Sequence, residues 1–143
     1  MNRVVVVEDE TMARKGIILT IDWSALGCVV VGEAANGEEG AALVERLSPD
    51  IVVTDVKMPR MDGVEMIAKL RENGCQAKFI ILTAYSDFKY AQSALRLGVS
   101  DYRTVKASAS RLPLAWRLKA AFSIPSMCPM LTVLNRQTIS FLA

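Results

Sequence analysis

Three acidic residues and one hydroxyl stand where short apolar runs end. Glu8 and Asp9 follow Val4 to Val7, Asp55 follows Ile51-Val52-Val53-Thr54, and Thr83 follows Phe79 to Leu82. If those runs are strands of one open α/β sheet, their carboxyl ends border the crevice where such sheets bind ligands. Three carboxylates brought together there repel unless a hard cation lies between them, and an oxygen-only set with free positions for water and phosphate suits Mg²⁺. An aspartate in that setting can attack a phosphoryl group as a covalent nucleophile, and a threonine hydroxyl can donate to a transferred oxygen. Each residue also has a plainer use: Glu8, Asp9 and Glu10 can favour a helix N-terminus, Asp55 can accept backbone hydrogen bonds in a turn, and Thr83 can be a strand-end hydroxyl. Those separate uses give no reason for the four to meet.

The elements that must position them follow from the hydrophobic pattern. Strands are expected at 4–7, 29–31, 51–54 and 79–82, with a fifth opening at 99–102. Between them lie helical stretches: Thr11 to Leu19 with apolar Met12, Ile17, Ile18 and Leu19; a helix capped by Asn36, with Glu39 completing a capping box, running to about Leu47 before Ser48-Pro49; Val64 to Glu72 with Val64, Ile67, Ala68 and Leu70 inward; and a helix capped by Ser86 through Leu97, closed by Gly98. Met61-Asp62-Gly63 reads as a turn. Alternating strands and helices predict a parallel sheet covered on both faces.

The 143 residues suit one domain, and the chain has no histidine, which removes Ser-His-Asp hydrolysis and His-based zinc sites. Three scattered cysteines form no C-x-x-C pair, so a reducing, cytoplasmic setting is expected. No apolar run serves as a signal-peptide core or a membrane span. Charge divides the chain: residues 1–101 hold all 15 acidic residues and 11 basic ones, whereas the last 42 residues carry six basic residues and no acid.

The strings Val4-Val5-Val6-Val7-Glu8-Asp9-Glu10, Ile51-Val52-Val53-Thr54-Asp55-Val56-Lys57-Met58-Pro59, Met61-Asp62-Gly63, Ile80-Ile81-Leu82-Thr83-Ala84-Tyr85 and Gly98-Val99-Ser100-Asp101-Tyr102 resemble the response regulator receiver domain. Ile21-Asp22-Trp23-Ser24-Ala25-Leu26-Gly27 resembles the branch whose receivers precede an AraC-type helix-turn-helix domain. The resemblance implies a flavodoxin-like, doubly wound, five-stranded parallel sheet. It also implies Asp55 as phosphoacceptor, Glu8, Asp9, Asp55 and the backbone carbonyl of Lys57 as Mg²⁺ ligands, and Thr83 and Tyr102 as switch residues. The implied phosphodonor is a sensor histidine kinase. A homodimer is compatible with it, no membrane partner is expected, and DNA binding would need an output domain outside this chain. The other class of function open to the residues is an Mg²⁺-dependent phosphohydrolase with an aspartyl-phosphate intermediate. That chemistry usually places a general acid two residues after the nucleophile, where this chain has Lys57.

The pattern departs after Tyr102. Receivers usually continue Tyr-Leu-Leu-Lys-Pro, whereas this chain reads Tyr102-Arg103-Thr104-Val105-Lys106-Ala107. Lys106 is the candidate for the phosphoryl-pairing lysine, but it comes one residue late, and in unchanged register it points to the other face of its strand. Alternating Leu112, Leu114, Trp116 and Leu118, with Pro113, Pro125 and Pro129, fit a final helix poorly. Residues 1–106 are therefore read as the receiver domain and 107–143 as an atypical basic tail. A shifted reading frame is expected from Arg103 onward, since synonymous codons for Arg103 to Ala107 read in another frame give Leu-Leu-Lys-Pro. A DNA-binding role for the tail is the weaker reading, because its basic residues show no helical or aromatic organisation.

Overall fold

A computed structural model describes residues 1–83 and 88–104 of the chain. The strands are β1 (Asn2–Val7), β2 (Cys28–Ala34), β3 (Ile51–Thr54), β4 (Lys78–Thr83) and β5 (Asp101–Thr104). The α-helices are α1 (Thr11–Thr20), α2 (Gly37–Leu47), α3 (Gly63–Glu72) and α4 (Phe88–Arg96), and one short 3₁₀ turn covers Ser24–Leu26. All strand pairs are parallel and the sheet order is β2-β1-β3-β4-β5. This is the flavodoxin-like arrangement: the chain steps from β1 outward to β2, then returns to the other side of β1 at β3. The reversal point lies between β1 and β3, so the residues that follow these two strands share one crevice.

The alternation of side chains along each strand divides the core into two layers. Val5, Val7, Val52, Phe79 and Ile81 pack with Val44 of α2 and Met66, Ile67 and Leu70 of α3. Val4, Val6, Val53, Ile80 and Leu82 pack with Ile17, Ile21 and Trp23. The Trp23 indole N–H donates to the Ile18 carbonyl at 3.0 Å, which satisfies its one polar atom. Val4 to Val7 of β1 and Ile51 to Val53 of β3 are continuous apolar runs because both faces of the sheet are covered there.

Several local expectations are corrected. β2 runs from Cys28 to Ala34, longer than the expected 29–31, and its pairing with β1 carries a bulge between Val4 and Val5. The Asn36 side chain accepts from the Glu39 N–H at 2.9 Å, but the Glu39 carboxylate takes the Ala35 N–H at 3.3 Å, so the expected capping box is only half made. The complete box is at α3, where Asp62 and Glu65 exchange bonds of 2.8 and 3.0 Å. Asp62 thus both ends the turn and starts the helix. In α3, Met66 is fully buried and Val64 only partly, so the inward stripe is rotated from the expected one. In α1, Met12 and Leu19 are exposed while Ile17 is buried. Gly98 closes the turn after α4 with φ of 67°, a left-handed conformation glycine adopts without a Cβ clash. Ser86, Lys106 and the expected final helix lie outside the described residues.

Candidate functional site

Glu8 and Asp9 begin the segment after β1, and Asp55 follows β3. The register pairs Val7 with Thr54, which puts Glu8 and Asp55 side by side at the sheet edge. The Asp55 N–H donates to the Val7 carbonyl at 3.1 Å and the Glu8 N–H to the Ala34 carbonyl at 3.0 Å, so main-chain bonds to neighbouring strands hold both residues. One carboxylate oxygen from each of Glu8, Asp9 and Asp55 lies within 4.8 Å of the others. Glu8 is buried, Asp55 half-buried and Asp9 exposed.

The electrostatics show a cluster short of positive charge. Burial, followed by the Asp55 charge, pushes the Glu8 carboxyl up to about 7. Burial also raises Asp55, against the lowering effect of the Val56 N–H and the Thr83 hydroxyl. The Val56 N–H reaches Asp55 Oδ1 at 2.6 Å. Thr83 is buried at the end of β4, with its hydroxyl bonded to the Asp55 carboxylate. A cation among these oxygens would offset both the desolvation and the repulsion, and an all-carboxylate set is the donor chemistry that hard divalent ions take. The residues therefore fit Mg²⁺.

The loop from Asp55 to α3 is held by close backbone packing. A Cβ on Gly63 would lie 2.0 Å from the Asp55 carbonyl oxygen, so only glycine fits at the first position of α3. The Gly63 N–H donates to the Val56 carbonyl at 2.7 Å. Arg60 in the same loop has φ of 70°, a left-handed conformation that costs a non-glycine residue energy. Lys57 is exposed, two residues after Asp55. Tyr102 is half-buried on β5, opposite Ile81 and packed against the layer that contains α2 and α3.

A receiver-domain sequence profile, described as "Response regulator receiver domain", matches residues 4–115. The chain belongs to the response regulator receiver family. Among solved receivers, the REC domain of AraT, a response regulator from Geobacillus stearothermophilus, is 34% identical, with a TM-score of 0.73 over 85% of this chain and 90% of that one. The receiver of the putative response regulator NarL from Mycobacterium tuberculosis is 27% identical, with a TM-score of 0.68 over 85% of this chain and 97% of that one. The transcriptional regulatory protein YesN of Bacillus subtilis is 37% identical over 102 residues, which is 71% of this chain and 28% of YesN. HptR of Staphylococcus aureus, also a transcriptional regulatory protein, is 32% identical over 71% of this chain and 40% of its own length. The chain thus spans well under half the length of these curated relatives. As a receiver it is a signalling module of two-component systems, and among its described residues no helix is long and apolar enough to cross a membrane.

The receiver fold brings together Glu8, Asp9, Asp55 and Thr83, as expected from their strand-end positions. It also places beside them two residues that sequence reasoning missed. Arg14 of α1 donates from NH1 to the Glu8 carbonyl at 2.7 Å, and its Nε lies 3.3 Å from Glu33 Oε2. The first contact reaches back from α1 to the segment after β1 and the second joins α1 to β2, so spacing alone did not signal either.

Proposed function

We propose that this receiver accepts a phosphoryl group on Asp55 from a sensor histidine kinase. The observation that carries the proposal is the Asp55 carboxylate itself, half-buried at the sheet edge beside Glu8 and Asp9, with the Val56 N–H and the Thr83 hydroxyl on it. The Val56 N–H and the Thr83 hydroxyl hold the carboxylate in place at the crevice. In the transfer, an Asp55 oxygen forms the new O–P bond while the P–N bond of a phosphohistidine breaks. The imidazole leaves with that electron pair and recovers its proton balance from solvent.

Mg²⁺ held by Glu8, Asp9, Asp55 and the Lys57 carbonyl would neutralise the phosphoryl oxygens. Receiver domains in general use an acidic pocket of this kind for Mg²⁺. Thr83 would exchange its bond to the Asp55 carboxylate for one to a phosphoryl oxygen, drawing on the end of β4. Tyr102, paired beside β4 on β5, would report that movement, so Thr83 and Tyr102 serve as the switch. Lys106 stands one position past the usual lysine, which blunts this response. The hydrolase alternative has no acid at Lys57 to support it.

The relatives named as transcriptional regulators favour a receiver that governs DNA-binding output in a longer protein, in the cytoplasm. The receiver domain proper is assigned to residues 1–106. Residues from Arg103 onward are assigned to a shifted reading frame, supported by the absence of every acidic residue after Asp101.

Acetyl phosphate with Mg²⁺ should add one phosphoryl group, seen as an acid-stable but hydroxylamine-labile mass increase. Asp55→Asn should abolish it. Labelling at full level in the Asp55→Asn protein would overturn the assignment. Sequencing the gene past codon 102 tests the frame: if the downstream DNA encodes no helix-turn-helix in any frame, the frameshift is wrong.

A further inference from the structure

Arg14 projects from α1 toward the acidic crevice with its side chain only 12% exposed. Two contacts hold it. NH1 donates to the Glu8 carbonyl at 2.7 Å, a short charge-assisted bond, and Nε stands 3.3 Å from Glu33 Oε2. Glu33 lies on β2, the strand beside β1, and its other oxygen takes the Lys15 ammonium at 2.7 Å. The guanidinium is therefore held by one hydrogen bond to the segment after β1 and by one charge contact, without hydrogen-bond geometry, to β2.

The Glu8 carbonyl belongs to the peptide unit that joins Glu8 to Asp9, and a peptide unit turns as a rigid plane. On its amino side Glu8 is already fixed, because its N–H donates to the Ala34 carbonyl at 3.0 Å. The Glu10 N–H also donates to Glu8 Oε1 at 3.2 Å. The rotation of the Glu8–Asp9 plane sets where the Asp9 carboxylate sits relative to that of Glu8, and Arg14 holds the carbonyl of that plane.

We propose that Arg14 is a positioning residue: by holding the Glu8 carbonyl from a guanidinium in charge contact with Glu33, it sets the spacing of the Glu8 and Asp9 carboxylates toward Mg²⁺. The proposal rests on the assignment of those carboxylates to Mg²⁺. Its physical signature is separable from charge. A cation beside a cation site opposes Mg²⁺, so on electrostatics alone removal of Arg14 tightens binding. On positioning, removal loosens it. Lysine keeps the charge but lacks the planar fork that reaches two acceptors at once. Mg²⁺ demands near-ideal octahedral geometry while Ca²⁺ tolerates an irregular shell, so a loosened pair of carboxylates loses Mg²⁺ selectively.

The test is calorimetric titration of the full chain with MgCl₂ and CaCl₂, for the wild type, Arg14→Ala, Arg14→Lys and Glu33→Gln, with folding checked by circular dichroism and urea midpoint. Arg14→Ala and Arg14→Lys should each weaken Mg²⁺ binding about tenfold, the scale typical of residues that orient ligands. Ca²⁺ binding should fall less, so the ratio of the two affinities drops. Glu33→Gln removes a negative charge and so weakens both ions on charge alone, but it leaves the NH1 bond possible; its reading is the ratio of the Mg²⁺ and Ca²⁺ affinities, which should drop less than in the Arg14 variants and stands in if those do not fold. A wild type that binds no Mg²⁺ would overturn the metal assignment itself. A wild type that binds, with folded variants that bind Mg²⁺ equally or more tightly, would overturn the role of Arg14 alone.

Discussion

The two ends of the parallel sheet handle charge in opposite ways. At the amino ends of the strands, a groove of about 690 Å³ is lined by Asn2, Ser48, Asp50, Asn73 and Lys78 among others. Polar groups there are matched to one another: the Arg3 N–H donates to Asp50 Oδ2 at 2.7 Å, Arg3 NH1 to the Leu47 carbonyl at 2.6 Å, and Asn73 to Glu45 at 2.7 Å. At the carboxyl ends, three carboxylates crowd within 4.8 Å and burial pushes Glu8 up to about 7. This groove lies at the opposite end of the strands from the acidic cluster. A matched network stabilises an end of the fold, whereas an unmatched cluster costs stability and holds it ready for a ligand.

The largest contrast should come from glycines. Gly63→Ala drives a Cβ to 2.0 Å from the Asp55 carbonyl and should cost about 2–4 kcal/mol by urea denaturation. Gly74→Ala at the opposite end has nothing within 4 Å and φ of 80°, so it should cost only about 1–2 kcal/mol, from the backbone conformation alone. Equal losses would mean that the loop after Asp55 yields more easily than its packing implies.

Acidity should separate the ends next. The folded Glu8 carboxyl titrates near 7, above its unfolded value of 4.5, so between those limits the folded state holds more protons. Metal-free stability should therefore rise as the pH falls from about 7 to about 4.5, by roughly 1–2 kcal/mol once solvent screening at the open crevice is allowed for. Glu8→Gln should flatten that slope, and so should saturating MgCl₂. A slope unchanged by Glu8→Gln would place the titrating group elsewhere.

Removing an acid should have opposite signs at the two ends. Asp55→Asn keeps an oxygen for the Val56 N–H while relieving repulsion, and should stabilise the metal-free chain by about 1 kcal/mol. Asp50→Ala removes the acceptor of the Arg3 N–H and should destabilise it by about 1 kcal/mol. The smallest effect is expected at Arg60, where asparagine tolerates φ of 70° better than arginine does. Arg60→Asn should gain about 0.5 kcal/mol, read as a small rise in the urea midpoint.

Much of the fold was legible in the residues. β3 and β4 match their expected apolar runs within one residue, because strands buried on both faces leave continuous hydrophobic stretches. The ends of α2 and the turn at Gly98 were legible from Asn36, Ser48 and glycine chemistry. The capping box at α3 was open to the same reading, as Asp62 with Glu65 three residues on, but the adjacent glycine made the segment look like a turn. Met12 and Leu19 are apolar yet exposed, because apolar spacing on a short helix does not say how far around it the sheet reaches.

By itself, the sequence determined that acids follow β1 and β3 and a hydroxyl follows β4, because hydrophobic runs and their termini are local properties of the chain. Tertiary structure alone decided that Glu8, Asp9, Asp55 and Thr83 share one crevice with these particular spacings, since the order β2-β1-β3-β4-β5 joins residues up to 75 positions apart. It alone also decided that burial lifts Glu8 to about 7 and that Arg14 reaches both the Glu8 carbonyl and Glu33. Desolvation, charge proximity and hydrogen-bond geometry depend on distances through space, and a residue's place in the chain does not encode them.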